Sequence, residues 1–499
     1  MKLPQSYYNP LSIIGSVIAG VNLLIIFFFL IASIFFNVGG SYLGIYIYMI
    51  LPVFLIGGLI MIPVGIYRRS KRIKSSGSGD LPRGLRLDLS DPKQYNSFII
   101  FLIVTFVFIL FTGIGSYQVY HYTESVEFCG TLCHQVMEPE YVAYQESSHS
   151  RVACVECHVG DGADWYVKSK LSGLYQVYSV LFNKYPRPIE TPVHSLRPAR
   201  ETCEKCHWPE KFYSYSLRNE KHFLADSANT EWNIQLNMKV GPAHSFQGLA
   251  EGIHWHINKD VKIEYISTSS KLETIPWVRY TNRSGGDTLI YEDLNEKLDQ
   301  EAIDTMIIRE MDCMDCHNRP SHHYFPPQEF TDKLIASGDI SSTLPDIKML
   351  AMDIFNKTYP DRDTAEMMIA GAVSEYYAST YPQIADEKAE LINSAILSLI
   401  GGYNENYFPY MKANWDVYPN HVGHIEFNGC FRCHNGNHIS ENGDEISRDC
   451  NLCHTIVGQG NAENYSSVAI DSSLEFIHPV DIDGLWKEFT CAECHRYLY

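Results

Sequence analysis

The stretch from residue 129 to residue 158 reads CGTLCHQVMEPEYVAYQESSHSRVACVECH and contains two cysteine pairs, each followed at once by histidine. The second pair, at 154–158, has the pattern C-x-x-C-H, and the first, at 129–134, is longer by one residue. In a C-x-x-C-H motif the two thiols can form thioethers with the vinyl groups of a haem, and the histidine can bind its iron. The stretch therefore predicts a fold built around covalently bound haem c.

Every cysteine of the chain belongs to such a motif, and the 14 cysteines form seven pairs. The predicted thioether cysteines are Cys129, Cys133, Cys154, Cys157, Cys203, Cys206, Cys313, Cys316, Cys430, Cys433, Cys450, Cys453, Cys491 and Cys494. The motif histidines, predicted to bind iron, are His134, His158, His207, His317, His434, His454 and His495. Zinc sites, redox dithiols and disulfides also use cysteine pairs, but none of them requires a histidine after every second cysteine. We therefore expect seven haem c groups.

The segment from residue 121 to residue 499 offers little polypeptide for seven haems, about 54 residues for each motif. In an ordinary domain of this size, protein side chains alone supply the apolar core. Here the haems must supply much of it, so that neighbouring haems lie close together. A row of closely spaced haems indicates electron transfer.

Three apolar runs without charged side chains lie in the first 120 residues: Leu11–Phe36, Tyr42–Tyr67 and Phe98–Val119. Each is longer than the ~20 helical residues that cross a hydrocarbon core of ~30 Å. The loop 68–93 carries eight Lys and Arg residues, and positively charged loops stay in the cytoplasm. We therefore expect three transmembrane helices in the lipid bilayer of a bacterial inner membrane. The N-terminus would lie in the cytoplasm and the haem-binding part in the periplasm.

The net charge of −19 is distributed unevenly along the chain. Residues 1–97 hold nine Lys and Arg and three Asp and Glu, so residues 98–499 hold 30 basic and 55 acidic side chains. An acidic surface disfavours nucleic acid as a partner. It can attract a basic redox protein, although it can equally serve the solubility of an exported domain.

The spacing of the motifs divides the chain into four predicted segments. Residues 1–120 are the membrane anchor, and residues 121–325 form a tetrahaem domain with a small β insertion. Residues 326–420 show helical periodicity without a haem motif, which predicts a helical spacer. Residues 421–499 form a C-terminal trihaem domain.

The predicted fold class is a mainly α and irregular multihaem cytochrome c with a small β element and three N-terminal transmembrane helices. The β element rests on three short runs rich in strand-forming residues, at Lys262–Ser267, Pro276–Thr281 and Thr288–Asp293. The turn Arg283–Asp287 separates the last two runs.

Thirteen histidines lie outside the motifs, and a low-spin haem needs a second axial ligand. The candidate distal ligands are His149, His194, His222, His254, His256, His322, His421, His424, His438 and His478. Met137 follows His134 by three residues and is a further candidate, because a thioether ligand raises the reduction potential of a haem. Spacing alone leaves open whether Met137 binds iron or only packs.

The segment 129–158, with Met-Glu-Pro-Glu and then a histidine between two motifs, resembles the NapC/NirT family of membrane quinol dehydrogenases. The fourth motif and the histidine that trails it, at 313–322, resemble the same family. The resemblance covers about residues 121–325. It implies a periplasmic tetrahaem unit that takes electrons from menaquinol or ubiquinol at its first haem. It also implies that Met137 ligates the first iron, which would leave His134 without that role.

The chain departs from the common family pattern in several ways: three apolar runs, a longer first motif, an enlarged segment between motifs three and four, and three additional haems. These features resemble the larger inner-membrane heptahaem cytochromes of metal-respiring bacteria. The expected function is a quinol dehydrogenase that takes electrons from the membrane quinone pool in anaerobic or extracellular respiration. It would pass them to periplasmic redox proteins such as other c-type cytochromes.

Oxidation of a quinol releases two protons, so the quinol site needs acid–base groups. The candidates are Glu138, Glu140, Asp164 and Lys170. The family places a lysine downstream of its second motif, and Lys170 matches that position, with Lys168 as the alternative. Each of these residues can equally be an ordinary surface charge.

A terminal reductase is the alternative function, in which one iron keeps an open site for a small nitrogen compound or another inorganic oxidant. The chain contains no C-x-x-C-K variant and has many spare histidines, and both facts favour electron transfer. A purely structural anchor for a redox partner is a third class, which seven haem motifs disfavour. Whether the chain is an enzyme in its own right stays open.

The number of motifs predicts the mass of the mature protein. If all 14 cysteines form thioethers, intact mass spectrometry should give the polypeptide mass plus seven haem masses. Six haem masses would mean that the longer first motif carries no haem.

Overall fold

The computed structural model describes residues 7–36, 50–75, 90, 92–132, 134–160, 162–191, 197–208, 212–241 and 252–497. Contacts within the chain divide it into two units, Met1–Met137 and Glu138–Tyr499. We describe each unit separately.

The first unit is helical. Its helices are α1 (Pro10–Phe36), α2 (Leu51–Ser75), α3 (Pro92–Thr123) and α4 (Val126–Thr131), and α5 (His134–Gln145) begins at its end. The Ser125 side chain caps α4 by accepting a hydrogen bond from the Phe128 amide. Such a cap satisfies one of the free N–H groups at the start of a helix.

Two helices of the first unit are long and apolar enough to cross a membrane, with candidate spans Pro10–Phe29 and Leu51–Ile73. The third predicted run, Phe98–Val119, is helical and lies inside α3. However, α3 is not among the candidate spans, and many of its side chains lie outside the described residues. The described part of the chain therefore has two candidate spans and not the three that were predicted.

Small residues bring α1 and α2 into close contact. A Cβ atom at Gly15 would lie 2.6 Å from the Gly58 carbonyl oxygen, and a Cβ atom at Gly58 would lie 2.7 Å from the Gly15 carbonyl oxygen. The Ser12 hydroxyl donates a hydrogen bond to the Ile62 carbonyl at 2.9 Å. Close backbone approach and interhelical hydrogen bonds are the interactions that hold helices together in lipid.

The second unit contains two antiparallel sheets, ordered β1-β2-β8-β9 and β6-β3-β4-β5-β7. Their strands are β1 (Tyr215–Phe223), β2 (Glu231–Lys239), β3 (Val261–Ile266), β4 (Trp277–Asn282), β5 (Thr288–Asp293), β6 (Arg309–Glu310), β7 (His438–Ser440), β8 (His454–Gly460) and β9 (Tyr465–Ser467). The three predicted strands are confirmed as β3, β4 and β5. The β structure is larger than predicted, because strands from outside the expected insertion join it.

The C-terminal part of the chain supplies strands to both sheets. Strand β7 pairs with β5 so that His438 lies opposite Asp293. Strand β8 pairs with β2 so that Leu236 lies opposite Ile456, next to an irregularity in the register. Residues after 430 are therefore hydrogen-bonded to residues that precede the fourth motif.

Helices occupy most of the chain between the fourth and fifth motifs. The helices of the second unit after α5 are α6 (Cys154–His158), α7 (Ala163–Leu181), α8 (Ala199–Cys203), α9 (Gln300–Thr305), α10 (Cys313–Cys316), α11 (Pro327–Ser337), α12 (Ile347–Phe355), α13 (Arg362–Thr380), α14 (Pro382–Glu387), α15 (Ala389–Asn406) and α16 (Cys491–His495). Ile347 and Ile354 of α12, Ile369 of α13 and Leu399 of α15 are fully buried. Helical periodicity predicted that this part of the chain is helical. The division of the chain into four segments stays a prediction.

The faces of α15 can be tested with two leucines on that helix. Leu399 has no exposed surface, whereas Leu397 is 71% exposed. Leu399→Ala should lower the free energy of unfolding by about 2–5 kcal/mol, because it leaves a cavity in the core. Leu397→Ala should change it by less than about 0.5 kcal/mol. Denaturant unfolding of the haem-loaded protein, followed by circular dichroism, measures the free energy of unfolding of both variants. Equal decreases would contradict the assignment of Leu399 to the buried face and of Leu397 to the exposed face.

Candidate haem-binding site

Six of the seven motifs lie on or beside single turns of helix in the second unit. Three are on α6, α10 and α16, one follows α8, and two are on the 3-10 turns Gly429–Arg432 and Cys450–Leu452. A single turn places residues three apart on one face, so both thiols of a motif point the same way. Polar side chains start several of these turns: Asp312 and Asp449 each accept a hydrogen bond from a backbone N–H of their own turn, and the Glu493 carboxylate accepts from the Thr490 amide and hydroxyl.

A cavity of about 2670 Å³ runs between these turns and is lined by ten of the motif cysteines. Sites for a single small ligand measure roughly 300–1,000 Å³. The apolar lining includes Ile263, Ile275 and Val278 of the buried cluster on the five-stranded sheet, together with Trp232 and Trp255. The polypeptide therefore leaves room at its centre for several large apolar groups.

Every motif histidine of the second unit faces one histidine from outside the motifs. Between ring centres the distances are 6.0 Å for His207 and His149, 6.2 Å for His158 and His322, 6.4 Å for His317 and His254, 5.9 Å for His434 and His256, 6.2 Å for His454 and His424, and 6.1 Å for His495 and His478. Six of the predicted distal ligands are thus brought opposite six motif histidines.

Backbone carbonyls fix the orientation of many of these rings. Nδ1 forms a hydrogen bond with a backbone carbonyl oxygen, at distances between 2.7 and 3.1 Å, in His149, His254, His256, His322, His434 and His478. A proton on Nδ1 that is donated to a carbonyl leaves the Nε2 lone pair free for a metal. In His424, His454 and His495, Nδ1 is buried and has no hydrogen-bond partner among the described residues.

Burial favours the neutral form of the paired rings, which is the form that binds iron. Burial lowers the pKa of nine of the twelve rings: His158, His254, His256, His317, His322, His424, His434, His454 and His495. For His424, burial and the neighbouring His454 lower the pKa to about 4.

The buried motif thiols do not resemble a zinc site or a redox dithiol. Burial raises the pKa of Cys316 and Cys433 to about 12, and that of Cys453 and Cys491 to about 11. Zinc binding and disulfide exchange both use the thiolate, which these surroundings disfavour. No group of three or more metal-binding side chains is found in the described part of the chain.

Neighbouring motifs follow one another in chain order. The Cys203 and Cys313 thiols of motifs three and four are hydrogen-bonded to each other. Besides burial, which is the larger cause, a thiol of a neighbouring motif raises the pKa in four cases: Cys206 acts on Cys157, Cys430 acts on Cys316 and on Cys453, and Cys450 acts on Cys491. Motifs two to seven therefore form one continuous row.

Three of the predicted distal ligands face other partners. Nδ1 of His222 lies 3.3 Å from the Asp332 carboxylate. His421 has its two ring nitrogens 3.1 Å from the Asp315 and Lys271 carbonyls. Burial and the Arg432 guanidinium lower the pKa of His421 to about 3.

His438 is fully buried and has both ring nitrogens occupied. Nε2 lies 2.7 Å from the Ile275 carbonyl, and Nδ1 lies 3.0 Å from the Asn435 side-chain oxygen. Like His421, it fixes the surrounding backbone instead of facing a motif histidine. Both histidines lie close to a motif in the sequence, and proximity of this kind does not distinguish a ligand from a structural histidine.

The first motif is described only in part. Cys129 is the fourth residue of α4 and Met137 lies in α5, but Cys133 and the His134 side chain lie outside the described residues. His194, a predicted distal ligand, also lies outside them. Whether Met137 or His134 binds the first iron stays a prediction.

The four quinol-site candidates have different surroundings. The Glu138 carboxylate pairs with Arg362 at 2.9 Å. Asp164 is exposed in the first turn of α7, and the Lys170 ammonium lies 4.8 Å from the centre of the Tyr166 ring. Asp164 and Lys170 thus lie on one helix.

Glu140 is held in a buried polar network that the sequence did not reveal. Its carboxylate accepts hydrogen bonds from Arg319 at 3.2 Å and from the Tyr324 hydroxyl at 3.1 Å, and its carbonyl oxygen lies 2.9 Å from Nδ1 of His322. Burial alone would raise the pKa of this carboxyl, but Arg319 and His322 outweigh burial and lower it. Glu140 is therefore a poor proton acceptor and a good support for the His322 ring.

Comparison with known proteins agrees with this site. The N-terminal region of the NapC/NirT cytochrome c family matches residues 91–192. The chain is 42% identical to the cytochrome c-type protein ImcH of Geobacter sulfurreducens over 488 residues, which are 98% of this chain and 95% of that protein. The chain belongs to the NapC/NirT family of c-type cytochromes. No solved structure matches it. The resemblance predicted from the motifs, to this family and to its larger ImcH-type members, is confirmed.

Membership of the NapC/NirT family implies covalently bound haem c, and the residues described above fit that group. Two metal–nitrogen bonds of about 2 Å, with roughly 1 Å from each nitrogen to its ring centre, would separate two ring centres by about 6 Å. The six histidine pairs span 5.9 to 6.4 Å, beside thiols that can form thioethers. Cysteine pairs, neutral imidazoles and an apolar cavity are the donors and surroundings that haem c requires.

The pairing of histidines predicts the spin state of the haem irons. His254→Ala should convert one haem from low spin to high spin, because His254 faces the motif histidine His317. His222→Ala should leave the number of high-spin haems as in the parent, because His222 faces Asp332. Electron paramagnetic resonance of the oxidised variants, at equal haem content, measures this difference. An additional high-spin haem, relative to the parent, in His222→Ala but not in His254→Ala would contradict the pairing.

Proposed function

We propose that this cytochrome is an inner-membrane quinol dehydrogenase that passes electrons through seven c-type haems to periplasmic acceptors. The observation that carries the proposal is the continuous row of six motifs, each with a histidine pair. Bound haem c supplies one-electron redox chemistry. A row of such groups serves transport of electrons over a distance, which a single catalytic centre does not need.

Six haems would be held by the thioether cysteines of motifs two to seven and by two imidazoles each. The distal ligands would be His322 for motif two, His149 for motif three, His254 for motif four, His256 for motif five, His424 for motif six and His478 for motif seven. The seventh haem would be attached at Cys129 and Cys133, with Met137 or His134 on its iron.

This ligand set argues against a terminal reductase. A reductase needs an iron with one open position for its substrate. In motifs two to seven each motif histidine already faces a second histidine. Two histidines on each iron support electron transfer and leave no position for an inorganic oxidant at these six sites.

Asp164 and Lys170 are the favoured acid–base groups for quinol. Glu138 is engaged with Arg362, and Glu140 is engaged with Arg319 and Tyr324. An exposed carboxylate can accept a proton from quinol, and an ammonium group can bind and orient a quinol oxygen. Menaquinol or ubiquinol from the membrane quinone pool would be the substrate, and other c-type cytochromes in the periplasm would be the acceptors.

A periplasmic haem domain requires a third crossing of the bilayer. The basic residues Arg68–Lys74 end α2, and such residues stay in the cytoplasm. The 32 residues of α3 would span about 48 Å as a helix, more than a hydrocarbon core of ~30 Å. With α3 as the third crossing, the N-terminus would be cytoplasmic and the chain after about residue 121 periplasmic.

Met137→His tests where electrons enter. If Met137 ligates the first iron, this substitution should lower the reduction potential of one haem by about 100 mV or more, because the identity of the axial ligands strongly affects that potential. For a one-electron couple, about 59 mV is a tenfold change in equilibrium constant. Quinol-driven reduction should then be lost, while haem content and reduction by dithionite are kept. Stopped-flow absorbance with a menaquinol analogue measures both rates.

Met367→His is the matched control, because Met367 is an exposed methionine of α13 that lies 50 residues after His317 and further than that from the fifth motif. It should leave the quinol-driven rate and all seven potentials unchanged. Reduction of the Met137→His variant by quinol as fast as the parent would show that electrons do not enter at the first haem.

A further inference from the structure

The helix α7, at Ala163–Leu181, carries large apolar side chains that are exposed. They are Val167, Leu171, Leu174, Tyr175, Tyr178 and Leu181, with Phe182 directly after the helix, and each is between 43% and 66% exposed. At about 100° per residue, all seven fall within a sector roughly 120° wide. The helix therefore presents one continuous apolar stripe, which we call the α7 stripe.

The α7 stripe does not belong to the protein core or to the haem cavity. Among the described side chains of α7, only Ser179 is buried, and it lies outside the stripe. None of the seven stripe residues lines the cavity between the motifs. Exposed apolar patches of this extent mark contact with a membrane or another protein.

Cationic and aromatic side chains border the α7 stripe on both sides. On one border the Lys168 ammonium lies 4.5 Å from the centre of the Trp165 ring, and on the other the Lys170 ammonium lies 4.8 Å from that of Tyr166. Beyond the helix, Lys184 donates a hydrogen bond to the Tyr178 hydroxyl at 2.9 Å. Lysine, tryptophan and tyrosine at the edges of an apolar face are typical of helices that lie in a membrane interface.

The charge of this segment is opposite to that of its surroundings. Residues 163–187 hold four basic side chains and one acidic side chain, Asp164, whereas residues 98–499 as a whole have 30 basic and 55 acidic ones. Asp164 occupies the first turn of α7, where a carboxylate is favourable. A local positive charge on an acidic domain is complementary to anionic lipid headgroups.

We propose that α7 lies in the plane of an anionic phospholipid surface, with the α7 stripe in the boundary between headgroups and acyl chains. Lys168 and Lys170 then reach headgroup phosphates on either side. Lipid is the occupant because the chain carries two candidate membrane spans and because the stripe has cationic borders. The contact does not depend on quinol oxidation, but it would bring Asp164 and Lys170 to the depth at which a lipid-soluble quinol moves.

Photo-crosslinking of the full haem-loaded chain in nanodiscs tests this contact. p-Benzoylphenylalanine replaces Leu174 in the stripe or, as the matched control, Gln176, which lies on a different face of the same helix. In discs that contain phosphatidylglycerol, mass spectrometry should find at least tenfold more phospholipid adduct at position 174 than at position 176. If the variant at position 174 loses haem, position 171 of the stripe replaces it.

Three outcomes would overturn the proposal: adducts at position 174 to this chain or a second copy, equal lipid adducts at both positions, or no lipid adduct at either. Replacing phosphatidylglycerol by phosphatidylcholine should reduce the adduct at position 174 severalfold, and an unchanged yield would overturn the role of the lysines. The readout needs no quinol turnover. A failure of quinol oxidation in the same discs would therefore count against the proposed function and not against the lipid contact.

Discussion

The spacing of about 6 Å between paired histidine rings is the constraint on which the second unit depends. The pairs join segments that are far apart in the chain: His322 faces His158, and His256 faces His434. Each pair must keep a gap, so the polypeptide cannot close its own core between them. Both histidines of five of the six pairs line the cavity of about 2670 Å³, whereas His158 and His322 are not part of its lining. Loss of one imidazole would thus affect both an iron site and the packing of two distant segments.

Backbone geometry decides which histidines are free to bind iron. Nδ1 of His254 bonds the Val240 carbonyl, which leaves Nε2 toward His317. In His438 the Ile275 carbonyl and the Asn435 side chain engage both nitrogens. The sequence does not distinguish these two histidines. They differ in Nε2, which the Ile275 carbonyl engages in His438 and which points toward His317 in His254. The same backbone that builds the sheets therefore also selects the ligands.

The sequence predicted what depends on local pattern. Two of the three apolar runs follow from composition, and the strands β3 to β5 and the buried positions of α12 follow from periodicity. The pairing of β7 with β5 and of β8 with β2 was missed, because each pairing joins segments that are far apart in the chain and leaves no local pattern. The carbonyl partners of the histidines and the Arg319 network at Glu140 were also missed, since neither backbone contacts nor side-chain contacts between distant residues leave a local sequence pattern.

The two ends of the row of motifs both expose large apolar side chains but differ in their predominant charge. Near motif two, α7 exposes apolar and basic side chains, whereas around motif seven Asp481, Asp483 and Glu493 are exposed. A neutral, lipid-soluble donor is suited to the first environment. A basic protein is suited to the second, because complementary charge accelerates encounter and salt screens it over about 8–10 Å. In the proposed direction of transfer, low ionic strength would therefore favour the exit of electrons at motif seven and leave quinol entry largely unaffected, since quinol carries no charge.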